Sequence, residues 1–146
     1  MEIRDLTNQQ VDIIIEELKN MLSHFDINTL NTPFGKIKSR NMLVSDINNI
    51  NFKLSIHRGN REPERFSLDL RFNDTHDCLV RLDVKGGAHT NPDGTVAPNS
   101  HLHIYNNIYN PKDSFAHPID LKYFPNISNL YYAADSFLDY TNVKRI

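Results

Sequence analysis

The chain has 146 residues, enough for one domain with one core and too few for two ordinary domains. With 39% apolar and 23% charged residues and a formal net charge of −2, it is neither disordered nor fibrous, and it has no global pull toward nucleic acid or anionic membrane. Cys78 is the only cysteine, which excludes an internal disulfide and a multi-Cys zinc site.

The free thiol fits a reducing cytosol. No apolar run approaches the roughly 18–20 residues of a membrane span. The opening Met-Glu-Ile-Arg-Asp lacks the basic and apolar regions of a signal peptide, so a cytoplasmic location without membrane contact is expected. Frequent asparagine and absent tryptophan read as the coding bias of an AT-rich genome.

Thr7 and Gln10 form a capping-box pattern, and Val11, Ile14, Ile15, Leu18, Met21, Leu22 and Phe25 follow at three- and four-residue spacing. This predicts an amphipathic helix that covers a sheet or, as the alternative, binds a partner. A strand is expected near Lys36–Val44. Phe52, Leu54 and Ile56 then alternate with polar residues. The same holds for Phe66, Leu68, Leu70 and Phe72, for Cys78, Val80, Leu82 and Val84, and for Leu102 and Ile104. Gly59–Pro63 and Asn73–Asp77 are short, turn-rich connections, so neighbouring strands should be antiparallel. A second helix is expected from Ile127 to Asn142, with Leu130, Ala133, Ala134, Phe137, Leu138 and Thr141 as its stripe. The expected architecture is a single α+β domain over residues 1–146. It comprises an N-terminal amphipathic helix, a meander of four or five antiparallel strands, and a C-terminal helix packing on one sheet face.

Alternation places Lys53, His57, Arg65, Arg71, Arg81, Lys85, His101 and His103 on the polar face, opposed by Asp69 and Asp83. A basic face on a weakly acidic chain suits a phosphate ligand, although antiparallel sheets also expose polar faces with no ligand at all.

The densest chemistry runs from Arg81 to His103. His101 and His103, two apart on a strand, point the same way with their roots about 6.5–7 Å apart. Arg81 and Asp83 stand in the same relation on the preceding strand. The Gly86-Gly87 loop lets His89 fold back over all four. Two chemistries suit such a set. In metal-free RNA cleavage, one imidazole takes the 2′-OH proton, another protonates the leaving oxygen, and Arg81 and Lys85 stabilise phosphate charge. Asp83 then orients an imidazole. In a metal site, His101, His103 and either His89 or Asp83 would bind Zn²⁺ or Fe²⁺. The bland alternative is a set of unrelated surface histidines. Asn91-Pro92-Asp93-Gly94 reads as a tight turn rather than a ligand loop. Tyr105 is a candidate donor or stacking platform, with core packing as its alternative. His24, His76 and His117 lie outside the cluster.

Arg81-x-Asp83, His89-x-Asn91-Pro92-Asp93-Gly94 and His101-x-His103-x-Tyr105 resemble an uncharacterised family of small proteins from Gram-positive bacteria and their phages. More loosely, Arg81, Asp83, His89 and His101-Leu102-His103 are similar in order to the core of small ribonuclease toxins of toxin–antitoxin modules. Those toxins carry a double His where this chain has His89-Thr90, and their Pro-His is only approximated by Pro98-Asn99-Ser100-His101. The resemblance implies a toxin-like ribonuclease.

The expected function is therefore RNA binding or metal-independent RNA cleavage, with no cofactor and no metal. His101 and His103 form the acid–base pair and His89 is an alternate. Arg81 and Asp83 support them, and Lys85, Arg71, Arg65 and Tyr105 contact substrate. The rival expectation is a non-enzymatic phage or mobile-element protein that inhibits a host defence factor or serves as an immunity or antitoxin partner. A His-ligated metal protein is the third. Oligomeric state is left open by the sequence.

Overall fold

Thr7 starts helix α1 (Asn8–Glu16) with a complete capping box: its hydroxyl accepts from Gln10 N–H, and the Gln10 side chain accepts from Thr7 N–H. Such a cap contributes about 1 kcal/mol. Val11, Ile14 and Ile15 are buried, as the stripe predicts, but the helix stops at Glu16 instead of running to Phe25. Lys19–Met21 is instead strand β1. Leu18 and Leu22 are exposed, so the apolar spacing beyond Ile15 does not mark a buried helical face. Sheet pairing on both sides of β1 overrides it.

Lys19 is the second reason α1 ends there. Its side chain is fully buried, and the three N–H groups of Nζ are shared among the carbonyls of Ile14 (2.7 Å), Ile15 (2.9 Å), Glu17 (2.8 Å) and Thr141 (2.7 Å). One ammonium thus satisfies carbonyls at the ends of both helices. Burial pushes the amine down to about 7, against the nearby charge of Glu17.

A 3-10 turn (Ile27–Leu30) leads to strands β2 (Ile37–Ser45), β3 (Asn51–Arg58), β4 (Phe66–Phe72) and β5 (Cys78–Val84). Next come the small hairpin β6 (His89–Thr90) and β7 (Val96–Ala97), then β8 (His101–Ile104) and β9 (Ala116–Pro118). Helix α2 (Leu130–Tyr140), capped by Asn129, and strand β10 (Val143–Lys144) complete the chain as described. The computed structural model describes residues 1–145.

The expected four- or five-stranded antiparallel meander is wrong. The main sheet has eight strands in the order β10-β1-β2-β3-β4-β5-β8-β9, and it is mixed, because β10 pairs parallel to β1. The additional strands are two or three residues long, too short for alternation to reveal them.

Between β2 and β8 the inward residues form one hydrophobic cluster that includes Phe52, Leu54, Leu68, Leu70, Leu82 and Leu102. Val11 and Ile14 of α1 and Leu130, Phe137 and Leu138 of α2 belong to the same cluster. The opposite face carries cross-strand rows fixed by register. One row runs Lys38, His57, Ser67, Asp83, His101, and the next Arg40, Ser55, Asp69, Arg81, His103. No described helix is long and apolar enough to cross a membrane.

Candidate active site

Asp83 pairs directly with His101, and Arg81 with His103, across β5 and β8. This pairing brings the two imidazoles, the guanidinium and the carboxylate together. Asp83 Oδ2 lies 3.3 Å from His101 Nε2, 3.3 Å from His103 Nε2 and 3.1 Å from Arg81 Nε. The imidazole centroids of His101 and His103 are 4.8 Å apart. His89 folds back over them from β6, its ring 5.0 Å from His103 and 5.7 Å from His101.

Each of the three rings spends one nitrogen on a backbone carbonyl. His101 Nδ1 is 2.8 Å from the Pro98 oxygen, His103 Nδ1 is 2.7 Å from that of Asp113, and His89 Nε2 is 2.8 Å from that of Ser114. A carbonyl only accepts, so those nitrogens carry protons. The remaining nitrogens meet different sets of partners. His103 Nε2 lies 2.9 Å from Arg81 Nη2, which can only donate, and 3.3 Å from Asp83 Oδ2, so it can accept from the guanidinium through a lone pair or donate to the carboxylate through an N–H. His101 Nε2 meets the same carboxylate oxygen at 3.3 Å and has no guanidinium contact among the described residues. Burial would raise the Asp83 carboxyl. His103, the charge of Arg81 and the charge carried by the imidazoles outweigh it and hold the carboxyl below its ordinary value.

Asp113 completes the cluster, and no sequence pattern marks it. It sits in an irregular stretch after Pro111, where no alternation applies. It is buried, its carboxylate accepts from Arg81 Nη1 at 2.9 Å, and its carbonyl holds His103. Asn91 does more than the turn its sequence pattern predicts. Its side chain accepts from Ala116 N–H at 2.7 Å and donates to the Ala116 carbonyl at 2.9 Å, bolting the hairpin that carries His89 onto β9. The turn itself is present too, since Gly94 N–H donates to the Asn91 carbonyl at 2.9 Å.

Other expected site residues are dispersed. Tyr105 is not at the site: it is 1% exposed in the core, edge-on to Phe72, with its hydroxyl donating to the Arg4 carbonyl and accepting from Leu6 N–H. The packing alternative applies, because β8 ends at Ile104 and the alternation that would align Tyr105 with His103 ends with it. Lys85 lies past the end of β5 with φ 55°, and no hydrogen bond or ion pair ties its side chain to the cluster among the described residues. Arg65 and Asp83 line one hollow of about 710 Å³ together with His57. Arg71 sits two rows away, paired with Asp69 at 3.2 Å.

His101 and His103 are 3% and 1% exposed, whereas the side chains of Asp83 and Arg81 are 20% and 28% exposed. The approach to the imidazoles therefore lies past Asp83 and Arg81. One ligand atom each from Asp83, His101 and His103 lies within 4.8 Å of the others, a spacing a metal ion can bridge. The guanidinium of Arg81 already meets two of those groups and Asp113, so the positive charge such a ligand set requires is supplied by the chain itself.

A mixed helix–sheet domain whose polar face holds a buried His–His–Asp–Arg cluster beneath a pinned hairpin is the class that fold and geometry define. Residues 6–143 match the family of unknown function DUF6978, and the chain belongs to that family. No curated protein and no solved structure matches it.

Proposed function

We propose that this protein is a metal-independent endoribonuclease in which His103 and His101 act as base and acid. The observation that carries the reading is the unequal hydrogen bonding of the two rings. Both Nε2 atoms lie 3.3 Å from Asp83 Oδ2, but that of His103 also meets the Arg81 guanidinium at 2.9 Å. Neutral and protonated imidazoles side by side are what transfer of an RNA phosphodiester to its own 2′-oxygen requires.

His103 Nε2 takes the proton of the 2′-OH as that oxygen attacks phosphorus. The bond from phosphorus to the 5′-oxygen breaks, and His101 Nε2 delivers its proton to the departing oxygen. The products are a 2′,3′-cyclic phosphate and a 5′-hydroxyl, and proton exchange with water returns both rings to their starting states. Arg81 stabilises the charge gathering on the phosphoryl oxygens. A phosphate that engages the guanidinium draws Nη2 from His103 and frees the lone pair the base needs. In this scheme Asp83 faces the acid, with Oδ2 3.3 Å from His101 Nε2, and its negative charge supports the protonated ring.

The similarity in residue order to small ribonuclease toxins supports this reading, as does the basic character of the sheet face. A source among Gram-positive bacteria or their phages and a cytoplasmic site of action fit the same picture, the latter supported by the buried free thiol of Cys78.

Purified protein incubated with end-labelled RNA tests the proposal. Cleavage that yields cyclic phosphate ends, survives chelator and falls by about 10²–10⁴-fold in His101→Ala or His103→Ala supports it. Cleavage abolished by chelator and restored by Zn²⁺ or Fe²⁺, cleavage indifferent to both substitutions, or a stoichiometric host protein with no turnover overturns it.

A further inference from the structure

Two adjoining hollows extend the polar face away from the histidines. The first, about 710 Å³, is lined by His57, Arg61, Arg65, Ser67 and Asp83 among others. The second, about 270 Å³, is lined by Lys38, Arg40, Lys53, Ser55, Asp69 and Arg71, and shares His57 with the first. Together they form a groove crossing β2, β3, β4 and β5, so three strand spacings give it a span of about 14 Å.

The charges in this groove are unevenly matched. Arg71 is paired with Asp69, and Arg81 with Asp83 and Asp113. Lys38, Arg40, Lys53 and Arg65 make no ion pair among the described residues. Glu62 at the rim is the one further carboxylate lining either hollow. A chain of net charge −2 therefore gathers unpaired cations in this groove, on neighbouring cross-strand rows of which the one from Lys38 leads to Asp83 and the one from Arg40 to Arg81.

We infer that this groove is a track for the backbone of single-stranded RNA, laid across the strands so that its phosphates meet Lys38, Arg40 and Lys53 while a scissile phosphate reaches Arg81. The inference rests on the ribonuclease reading and adds the path of the substrate. Charge complementarity selects a polyanion, and the length of the track selects an extended one. A single strand is required because one phosphate must descend to nearly buried imidazoles, whereas stacked pairs in a duplex hold it away. Of the two aromatic rings lining the hollows on β2, β3 or β4, Phe66 is buried in the core and His57 is exposed, so bases have one small stacking platform there and binding is largely indifferent to sequence.

A short RNA oligonucleotide carrying 2′-O-methyl groups binds without being cut, because the attacking hydroxyl is blocked. Its affinity is measured by fluorescence anisotropy across a salt series for the wild-type protein, the triple variant Lys38→Glu/Arg40→Glu/Lys53→Glu, and the distant surface control Lys122→Glu. Removing three phosphate contacts lowers the slope of log affinity against log salt by about 2, at roughly 0.7 per contact for a single strand. At low salt the triple variant binds at least tenfold more weakly while the control matches wild type and all three keep the same circular dichroism spectrum. Wild-type binding by the triple variant overturns the track even where RNA is cleaved. Salt-dependent binding lost in the triple variant upholds the track even where unmodified RNA is not cleaved, and only the catalytic reading then falls. Protein that ignores the oligonucleotide but binds poly-glutamate also overturns the track and assigns the groove to an acidic protein.

Discussion

His101 Nε2 and Asp83 Oδ2 face each other at 3.3 Å, while the other nitrogen of the same ring is committed to the Pro98 carbonyl at 2.8 Å. The ring cannot turn to present a different face without breaking that bond. Asp83 is therefore the carboxylate that the proposed acid faces. Asp83→Asn removes that charge and offers an amide that can itself donate to the imidazole. RNA cleavage should fall by about 10²-fold or more, with the loss in kcat rather than KM.

The same residue predicts an acid response. The folded carboxyl lies below its ordinary value, so the unfolded chain binds more protons as pH falls. Its stabilising contribution is complete above the unfolded value of about 3.9 and is lost as pH drops through the folded value. Urea midpoints measured at about pH 6 and pH 3 should therefore fall further for wild type than for Asp83→Asn. Equal falls would remove Asp83 from the account of acid stability.

Arg81 is tested by keeping its charge and changing its shape. Its guanidinium meets Asp83, Asp113 and His103 at once, a three-way contact that a lysine ammonium cannot reproduce in one position. Arg81→Lys should cost about 1–3 kcal/mol of stability and most of the cleavage rate. Arg81→Ala leaves the buried Asp113 carboxylate without its cation and should cost about 3–5 kcal/mol. Chemical denaturation distinguishes the two; a lysine variant as stable and active as wild type contradicts the fork geometry.

Asn91→Ala unbolts the hairpin from β9. It strips the buried Ala116 N–H and carbonyl of partners at 2.7 and 2.9 Å, a loss of about 1–3 kcal/mol per group left unsatisfied. Hydrogen exchange should accelerate at residues 89–97 and 113–117 while the amides of β3 and β4 keep their protection. Uniform acceleration across the sheet would show that the hairpin does not open independently.

Lys19→Met keeps the apolar stem and removes the ammonium, orphaning carbonyls of Ile14, Ile15, Glu17 and Thr141. A destabilisation of about 3 kcal/mol or more is expected. The wild-type amine is lowered to about 7 from 10.5, so between those values the unfolded chain binds more protons and stability rises with pH. The Met variant should lack that rise. Thermal melts at several pH values check both.

The strands that carry the site were legible because each has one apolar and one polar set over seven or eight residues in β3, β4 and β5. That period also placed Arg81, Asp83, His101 and His103 on one face, and the glycines after Val84 allowed His89 to return to them. Helical spacing overextends α1, because Leu18, Met21 and Leu22 fit a helical period although their backbone belongs to strand β1 and the residues flanking it. Strands β1, β9 and β10 exist through long-range pairing, which no local pattern encodes. Asp113 stayed hidden for the same reason: it reaches Arg81 across 32 positions from a stretch without periodicity. Tyr105 was the reverse case, a residue with the right spacing whose strand ends one position too early.

The parallel union of β1 with β10 joins Lys19 to Val143, and Thr141 supplies one of the four carbonyls around the Lys19 ammonium. At about 5–20 residues per second, a ribosome needs on the order of 6–25 s to translate the intervening stretch. Throughout that interval the nascent Lys19 has neither its neighbouring strand nor its last acceptor. Helix α1 and strand β1 therefore stay half-assembled until Thr141 and Val143 have been made.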